Sequence, residues 1–149
     1  MNRTGINSYG FEYQFNWSLF DVMTINGQYN YLNMEDKEGI PVLYRSKHRG
    51  QLSLSIKTKL IDFILSNRYW SEQYFDDFLS HKYTIVGNKV IFPIDVLPGQ
   101  IIPELILSKK LNSFKVSFKI SNLLNTSYEL IQDYPMPGRS VHGTLTRTL

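Results

Sequence analysis

Tyr9-Gly10-Phe11-Glu12-Tyr13-Gln14-Phe15-Asn16-Trp17-Ser18-Leu19 is two interleaved sets of residues. Tyr9, Phe11, Tyr13, Phe15, Trp17 and Leu19 are large and apolar, while Gly10, Glu12, Gln14, Asn16 and Ser18 are small or polar. Alternate side chains of a strand point to opposite faces. The stretch therefore predicts a strand with one apolar face and one polar face. Six large apolar residues in one row make it longer than the usual strand of about five or six residues.

The same period of two returns along the chain. Met23, Ile25, Tyr29 and Tyr31 alternate with Thr24, Asn26, Gln28 and Asn30, and Leu52, Leu54 and Ile56 with Gln51, Ser53, Ser55 and Lys57. Ile61, Phe63, Leu65 and Tyr69 mark a fourth strand, with Ile64 and Trp70 on its other face. Leu105 and Leu107 oppose Glu104 and Ser108 in a fifth. Phe114, Val116, Phe118 and Ile120 alternate with Lys115, Ser117, Lys119 and Ser121 in a sixth. Val141, Leu145 and Leu149 alternate with His142, Thr144, Thr146 and Thr148 in the last.

Short and long connections alternate strictly. Phe20-Asp21-Val22, Thr58-Lys59-Leu60 and Leu111-Asn112-Ser113 are short; Asn33 to Arg49, Tyr74 to Gly99 and Asn122 to Gly138 are long. Outer-membrane barrels have short periplasmic turns and long extracellular loops. The expected fold is all-β: an antiparallel up-and-down transmembrane barrel wall of about seven strands. Lys115 and Lys119 then face a watery lumen, since a lysine at the lipid midplane costs about 2–4 kcal/mol. Seven strands do not close a bacterial barrel, so the wall needs further strands.

Composition agrees with a wall wetted on one side. Aromatics make up 14% and tyrosine occurs 10 times, yet all hydrophobic residues together reach 42%. No run of about 18 apolar residues occurs, so no transmembrane helix is expected. The absence of cysteine excludes disulfides, a thiol nucleophile and Cys-ligated zinc. The net charge of +3 comes from 16 basic and 13 acidic residues without a basic stripe, which argues against nucleic-acid binding. Met1-Asn2-Arg3-Thr4 lacks the apolar core of a signal peptide. For an exported wall, the expectation is that an N-terminal part of the gene precedes it.

The C-terminal region carries a more specific pattern. Asn122-Leu123-Leu124-Asn125-Thr126-Ser127-Tyr128 is followed by Pro135-Met136-Pro137-Gly138-Arg139 and a final strand. In order and spacing this resembles the end of TonB-dependent outer-membrane receptors. Tyr44-Arg45-Ser46-Lys47-His48 resembles that family's R-x-P-x-H entry into a barrel strand, with Ser46 where proline is expected. Gly10-Phe11-Glu12 resembles the G-[V/F/A]-E of an earlier strand. Residues 1–149 then correspond to the C-terminal part of a 22-stranded barrel, with no plug domain. Independently of any family, Pro135 and Pro137 fix φ and withhold ladder donors, and Gly138 is expected to adopt a conformation other residues resist. Arg147 falls in the apolar phase, which near the periplasmic interface costs only about 0–1 kcal/mol.

The resemblance implies uptake of a scarce bulky ligand across the outer membrane of a Gram-negative bacterium. Such ligands are ferric siderophores, haem, cobalamin or oligosaccharides. It implies as partners outer-membrane lipid, the rest of the barrel, a plug domain, and the TonB–ExbB–ExbD system acting through the plug side. No cofactor and no catalytic role are expected. The long loops are the candidate ligand contacts, above all Tyr74, Phe75, Asp76 and Asp77, with a solvated loop tip as the plainer reading of the two aspartates. His48, His81 and His142 do not form a metal-binding spacing. Two other readings stand beside this one: a porin-like or structural barrel piece closing by oligomerisation, and a soluble β-sandwich binding module.

Overall fold

The computed structural model describes residues 5–37, 39, 42–77, 82–87 and 89–147. The chain enters at β1 (Ile6–Leu19), returns along β2 (Met23–Asp36), and continues through β3 (His48–Ile56) and β4 (Asp62–Trp70). Between β4 and the next long strand lie four short strands: β5 (Gln73–Asp76), β6 (Thr84–Val86), β7 (Lys89–Ile91) and β8 (Ile94–Leu97). Then come β9 (Gln100–Leu111), β10 (Phe114–Ser121), the short β11 (Glu129–Ile131) and β12 (Tyr134–Pro135), and β13 (Ser140–Arg147). Among the described residues there is no helix.

Seven strands form one antiparallel sheet in the order β1-β2-β3-β4-β9-β10-β13. Each long strand pairs with its neighbours along the chain, so the sheet is an up-and-down meander. β1 and β13 are its two edges, and both run from the long-loop end towards the short-turn end. The short turns use left-handed backbone at Phe20 (φ 53°), Asp21 (φ 54°) and Asn112 (φ 49°), a conformation that aspartate and asparagine accept more readily than phenylalanine. At the second turn, the Thr58 hydroxyl donates to the Ile61 carbonyl at 2.7 Å and accepts the Ile61 amide at 3.0 Å.

Register converts the alternating sequence into two continuous faces. Trp17 lies opposite Ile25, Ile25 opposite Leu54, Leu54 opposite Leu65 and Leu65 opposite Leu105. Leu105 then meets Ile120, and Ile120 meets Val141, so one apolar row crosses all seven strands. One residue along, Thr24 lies opposite Ser55, and Ser53 opposite both Asn26 and Ser66. A slip by one residue at any pairing would turn that strand's apolar set onto the polar face.

No second sheet covers the apolar face among the described residues. Phe11, Tyr13 and Trp17 remain 58%, 59% and 58% exposed, and among the described residues the buried large apolar side chains are Phe75 and Ile102. A sandwich would bury that row between two sheets, so the soluble-sandwich expectation is not what forms. An apolar band with aromatic borders is instead the surface that a barrel turns to lipid. Tyr9, Phe11, Tyr29 and Tyr31 make ring contacts of 5.7–6.2 Å near the long-loop end.

Several boundaries differ from the sequence reading. β2 runs on to Asp36 and β3 begins at His48, so both strands extend into the connection expected from Asn33 to Arg49, while β9 reaches from Gln100 to Leu111, beyond the expected Glu104 to Ser108. β1 and β2 have 14 residues each, roughly 46 Å at about 3.3 Å per residue. That exceeds an apolar band of about 25 Å, and the short turn at one end makes the excess project at the other. The long connection from Tyr74 to Gly99 contains two hairpins, β5–β8 and β6–β7, and that from Asn122 to Gly138 contains β11–β12. Leu149, Thr148 and His81 lie outside the described residues.

Candidate functional site

Three regions carry the chemistry. They are the clasp that launches the last strand, the loop hairpins, and the polar face.

The clasp explains the C-terminal pattern. Asn122 is 2% exposed and holds left-handed backbone (φ 51°), a conformation asparagine accepts more readily than most residues. Its Nδ2 donates to the Thr126 carbonyl at 2.8 Å and to the Pro137 carbonyl at 3.3 Å, while its Oδ1 accepts the Thr126 amide at 3.0 Å. Asn125, also left-handed at φ 54°, accepts the Arg139 amide on Oδ1 at 2.8 Å. The Leu123 amide donates to the Pro103 carbonyl of β9 at 2.8 Å, and the Met136 amide to the Tyr128 carbonyl at 2.9 Å. Pro135 ends the β11–β12 hairpin opposite Glu129.

Gly138 corrects an expectation. The glycines with positive φ are Gly5, Gly39 and Gly87, and Gly138 is not among them. Space decides its identity: a Cβ there would stand 2.9 Å from Asn125 Oδ1, the atom that holds Arg139.

The loop candidates sit on a hairpin arm. Tyr74, Phe75 and Asp76 belong to β5 and pair with Val96, Asp95 and Ile94. Asp77 follows, its amide donating to the Pro93 carbonyl at 2.9 Å. The Phe75 ring is 7% exposed and acts as packing for the arm. The Tyr74 carbonyl accepts the Tyr44 amide at 2.6 Å, tying two long loops together. An open apolar hollow of about 310 Å³ lies among Tyr44, Tyr74, Leu97 and Ile131, so all three long loops contribute to it.

On the polar face, Glu104 is the hub. Its carboxylate lies 2.8 Å from Lys119 Nζ and 4.0 Å from an Arg68 nitrogen, and it accepts the Ser121 hydroxyl at 3.2 Å. Lys119 thus takes the polar-face place expected of it, and Lys115 shares its phase between Lys110 and Thr146. Arg147 lies opposite Phe114 on the apolar face at the short-turn end. His142 lies opposite Lys119, and His48 sits on the other face, its Nδ1 2.6 Å from the Tyr29 hydroxyl. Among the described residues no group of three His, Asp or Glu side chains is placed to hold a metal ion.

No protein-family model matches this sequence, and no curated protein sequence matches it. Solved structures do. The ferripyoverdine receptor of the outer membrane of Pseudomonas aeruginosa, bound to ferripyoverdine, superposes with a TM-score of 0.72 at 12% identity, over 91% of this chain and 19% of that one. FpvA of the same organism bound to heterologous pyoverdines gives 0.75 at 11%, over 94% and 19%. The FrpB iron transporter from Neisseria meningitidis gives 0.70 at 13%, over 94% and 23%. This chain has the fold of the barrel wall of TonB-dependent receptors. It spans about one fifth of the length of the receptor structures it matches. On that receptor wall the apolar face is the outer surface and the polar face lines the lumen.

Sequence reasoning gave the clasp residues and the polar-face lysines. It did not find the Glu104 hub, because Arg68, Glu104 and Lys119 lie far apart in sequence and meet only through the β4–β9–β10 register.

Proposed function

We propose that this chain forms wall, lumen surface and outer loops of a TonB-dependent transporter in the outer membrane of a Gram-negative bacterium. The transporter takes up a scarce bulky ligand of the ferric-siderophore, haem, cobalamin or oligosaccharide class. The observation that carries this is the seven-strand meander with an unpartnered apolar face, superposing on solved iron and ferripyoverdine receptors over more than nine-tenths of its length. Tyr74, Asp76 and Asp77 on the outer-loop arm are the proposed ligand contacts, and Phe75 supports them from beneath. The clasp residues Asn122, Leu123, Asn125, Tyr128, Pro135, Pro137, Gly138 and Arg139 serve the wall and not the ligand. The partners are membrane lipid, further barrel strands, a plug, and the TonB–ExbB–ExbD system acting on that plug. The role is transport and not catalysis.

Strand direction supports a larger barrel over self-association. β1 and β13 run the same way, so copies inserted in one orientation would join edge to edge in parallel. An odd number of additional strands restores an antiparallel junction at both edges. Unpaired edges in lipid would leave backbone groups unsatisfied at several kcal/mol each.

The test is uptake. A deletion strain and its parent are compared for accumulation of iron-labelled siderophores, haem and labelled cobalamin, with and without a protonophore. The expected result is loss of one protonophore-sensitive uptake and recovery of the protein in the outer-membrane fraction. Equal uptake of every ligand, or recovery in the soluble fraction, contradicts the proposal.

A further inference from the structure

An open cleft of about 390 Å³ lies on the lumen face near the long-loop end, separate from the clasp and from the loop hollow. Three arginines from three segments line it: Arg45 from the connection before β3, Arg49 from β3 and Arg68 from β4. Trp70 lines it too, and no lining residue is acidic. The register builds this arrangement. Arg49 lies opposite Trp70, and Gln51 lies opposite Arg68, all in the polar phase. The Arg68 guanidinium stands 5.8 Å from the Trp70 ring centroid.

The charge is not balanced locally. Glu104, 4.0 Å from Arg68, is engaged more closely by Lys119 at 2.8 Å. Glu12, across β2, accepts the Gln14 amide at 2.7 Å and the Gln28 amide at 3.5 Å. Among the described residues neither Arg45 nor Arg49 has a carboxylate within ion-pair distance. Like charges repel, and a concave wall of one sign focuses its field on the space in front of it. Arginine presents a rigid fork of donors that matches carboxylate and phosphate oxygens in pairs.

We propose that this cleft is a binding site for a small multivalent oxyanion, so that the transported ligand bears carboxylate or phosphate groups. Arg45, Arg49 and Arg68 grip the oxygens, and Trp70 supplies a flat apolar side. This rests on the receptor reading, which places the cleft at the mouth of the lumen.

The experiment is calorimetric titration of the assembled barrel that carries this chain, purified in detergent, with citrate, with pyrophosphate and with neutral maltose. Citrate or pyrophosphate is expected to bind, and the one that binds names the group. Maltose gives no heat. Binding weakens as sodium chloride rises. Arg49→Gln and Arg68→Gln each weaken it about tenfold, while Lys115→Gln, outside the cleft, leaves it unchanged. If a glutamine variant does not fold, Arg49→Lys and Arg68→Lys keep the charge and lose the fork, and affinity should fall several-fold. No anion heat, or unchanged affinity in the arginine variants, overturns the site. If the protein still fractionates with the outer membrane and changes gel mobility on heating, the wall reading survives that failure. Recovery in the soluble fraction overturns both.

Discussion

Asn125 Oδ1 accepts the Arg139 backbone amide at 2.8 Å, joining the first turn of the last long loop to the residue that immediately precedes the last strand. Asn122 makes the same connection one step deeper, through the Pro137 carbonyl. Two asparagine side chains therefore decide where β13 begins, and so which register it takes against β10. Asn125→Ala should cost about 1–2 kcal/mol through one lost bond and an exposed left-handed alanine. Asn122→Ala should cost more, about 2–3 kcal/mol, because the Thr126 amide and Pro137 carbonyl lose a buried partner. Urea unfolding in detergent, read by heat-modifiable gel mobility, checks the order. A larger loss for Asn125→Ala would contradict the geometry.

On the outer face, Gly27 makes room for an aromatic ring. A Cβ on Gly27 would fall 2.0 Å from Phe15 Cε1, its register partner on β1. Gly27→Ala should therefore displace the ring and cost about 1–3 kcal/mol. The double variant Gly27→Ala with Phe15→Ala should be less destabilised than the sum of the two single changes. Strict additivity in the same urea measurement would show that ring and glycine do not share the space.

Ser46 stands where a proline was expected, and it is 2% exposed with an Oγ that finds no partner among the described residues. A buried unpaired hydroxyl costs free energy that a methyl group does not. Ser46→Ala should leave stability unchanged or raise it by up to about 1 kcal/mol. A loss of more than that would reveal a hydrogen bond to Ser46 in the assembled barrel.

Alternation made the wall legible. Phe114 to Ser121 was readable to the residue, because each apolar side chain is followed by a lysine or serine and the turn at Asn112 is unambiguous. The extensions of β2 and β9 were not, since Leu32, Ile102 and Ile106 break the polar phase. Ile102 is 1% exposed on that face, near where Leu123 is tied to Pro103. The short hairpins of the long loops left no trace, because strands of two to four residues show no period. The clasp was visible as a pattern but not as a mechanism. Gly138 was read as a backbone need and proved to be a need for space beside Asn125. The arginine cleft was invisible in one dimension, because only the pairing of Gln51 with Arg68 and of Arg49 with Trp70 assembles it.

The central claim is that one face of this sheet meets lipid and the other meets water. The chain contains no cysteine, so single cysteines report on it without background. Five variants along β3 (Gln51→Cys, Leu52→Cys, Ser53→Cys, Leu54→Cys and Ser55→Cys) are treated in isolated outer membranes with a water-soluble maleimide. Positions 51, 53 and 55 should label and positions 52 and 54 should not, until detergent and heat unfold the protein. Uniform labelling of all five, or labelling with the opposite phase, would contradict the account.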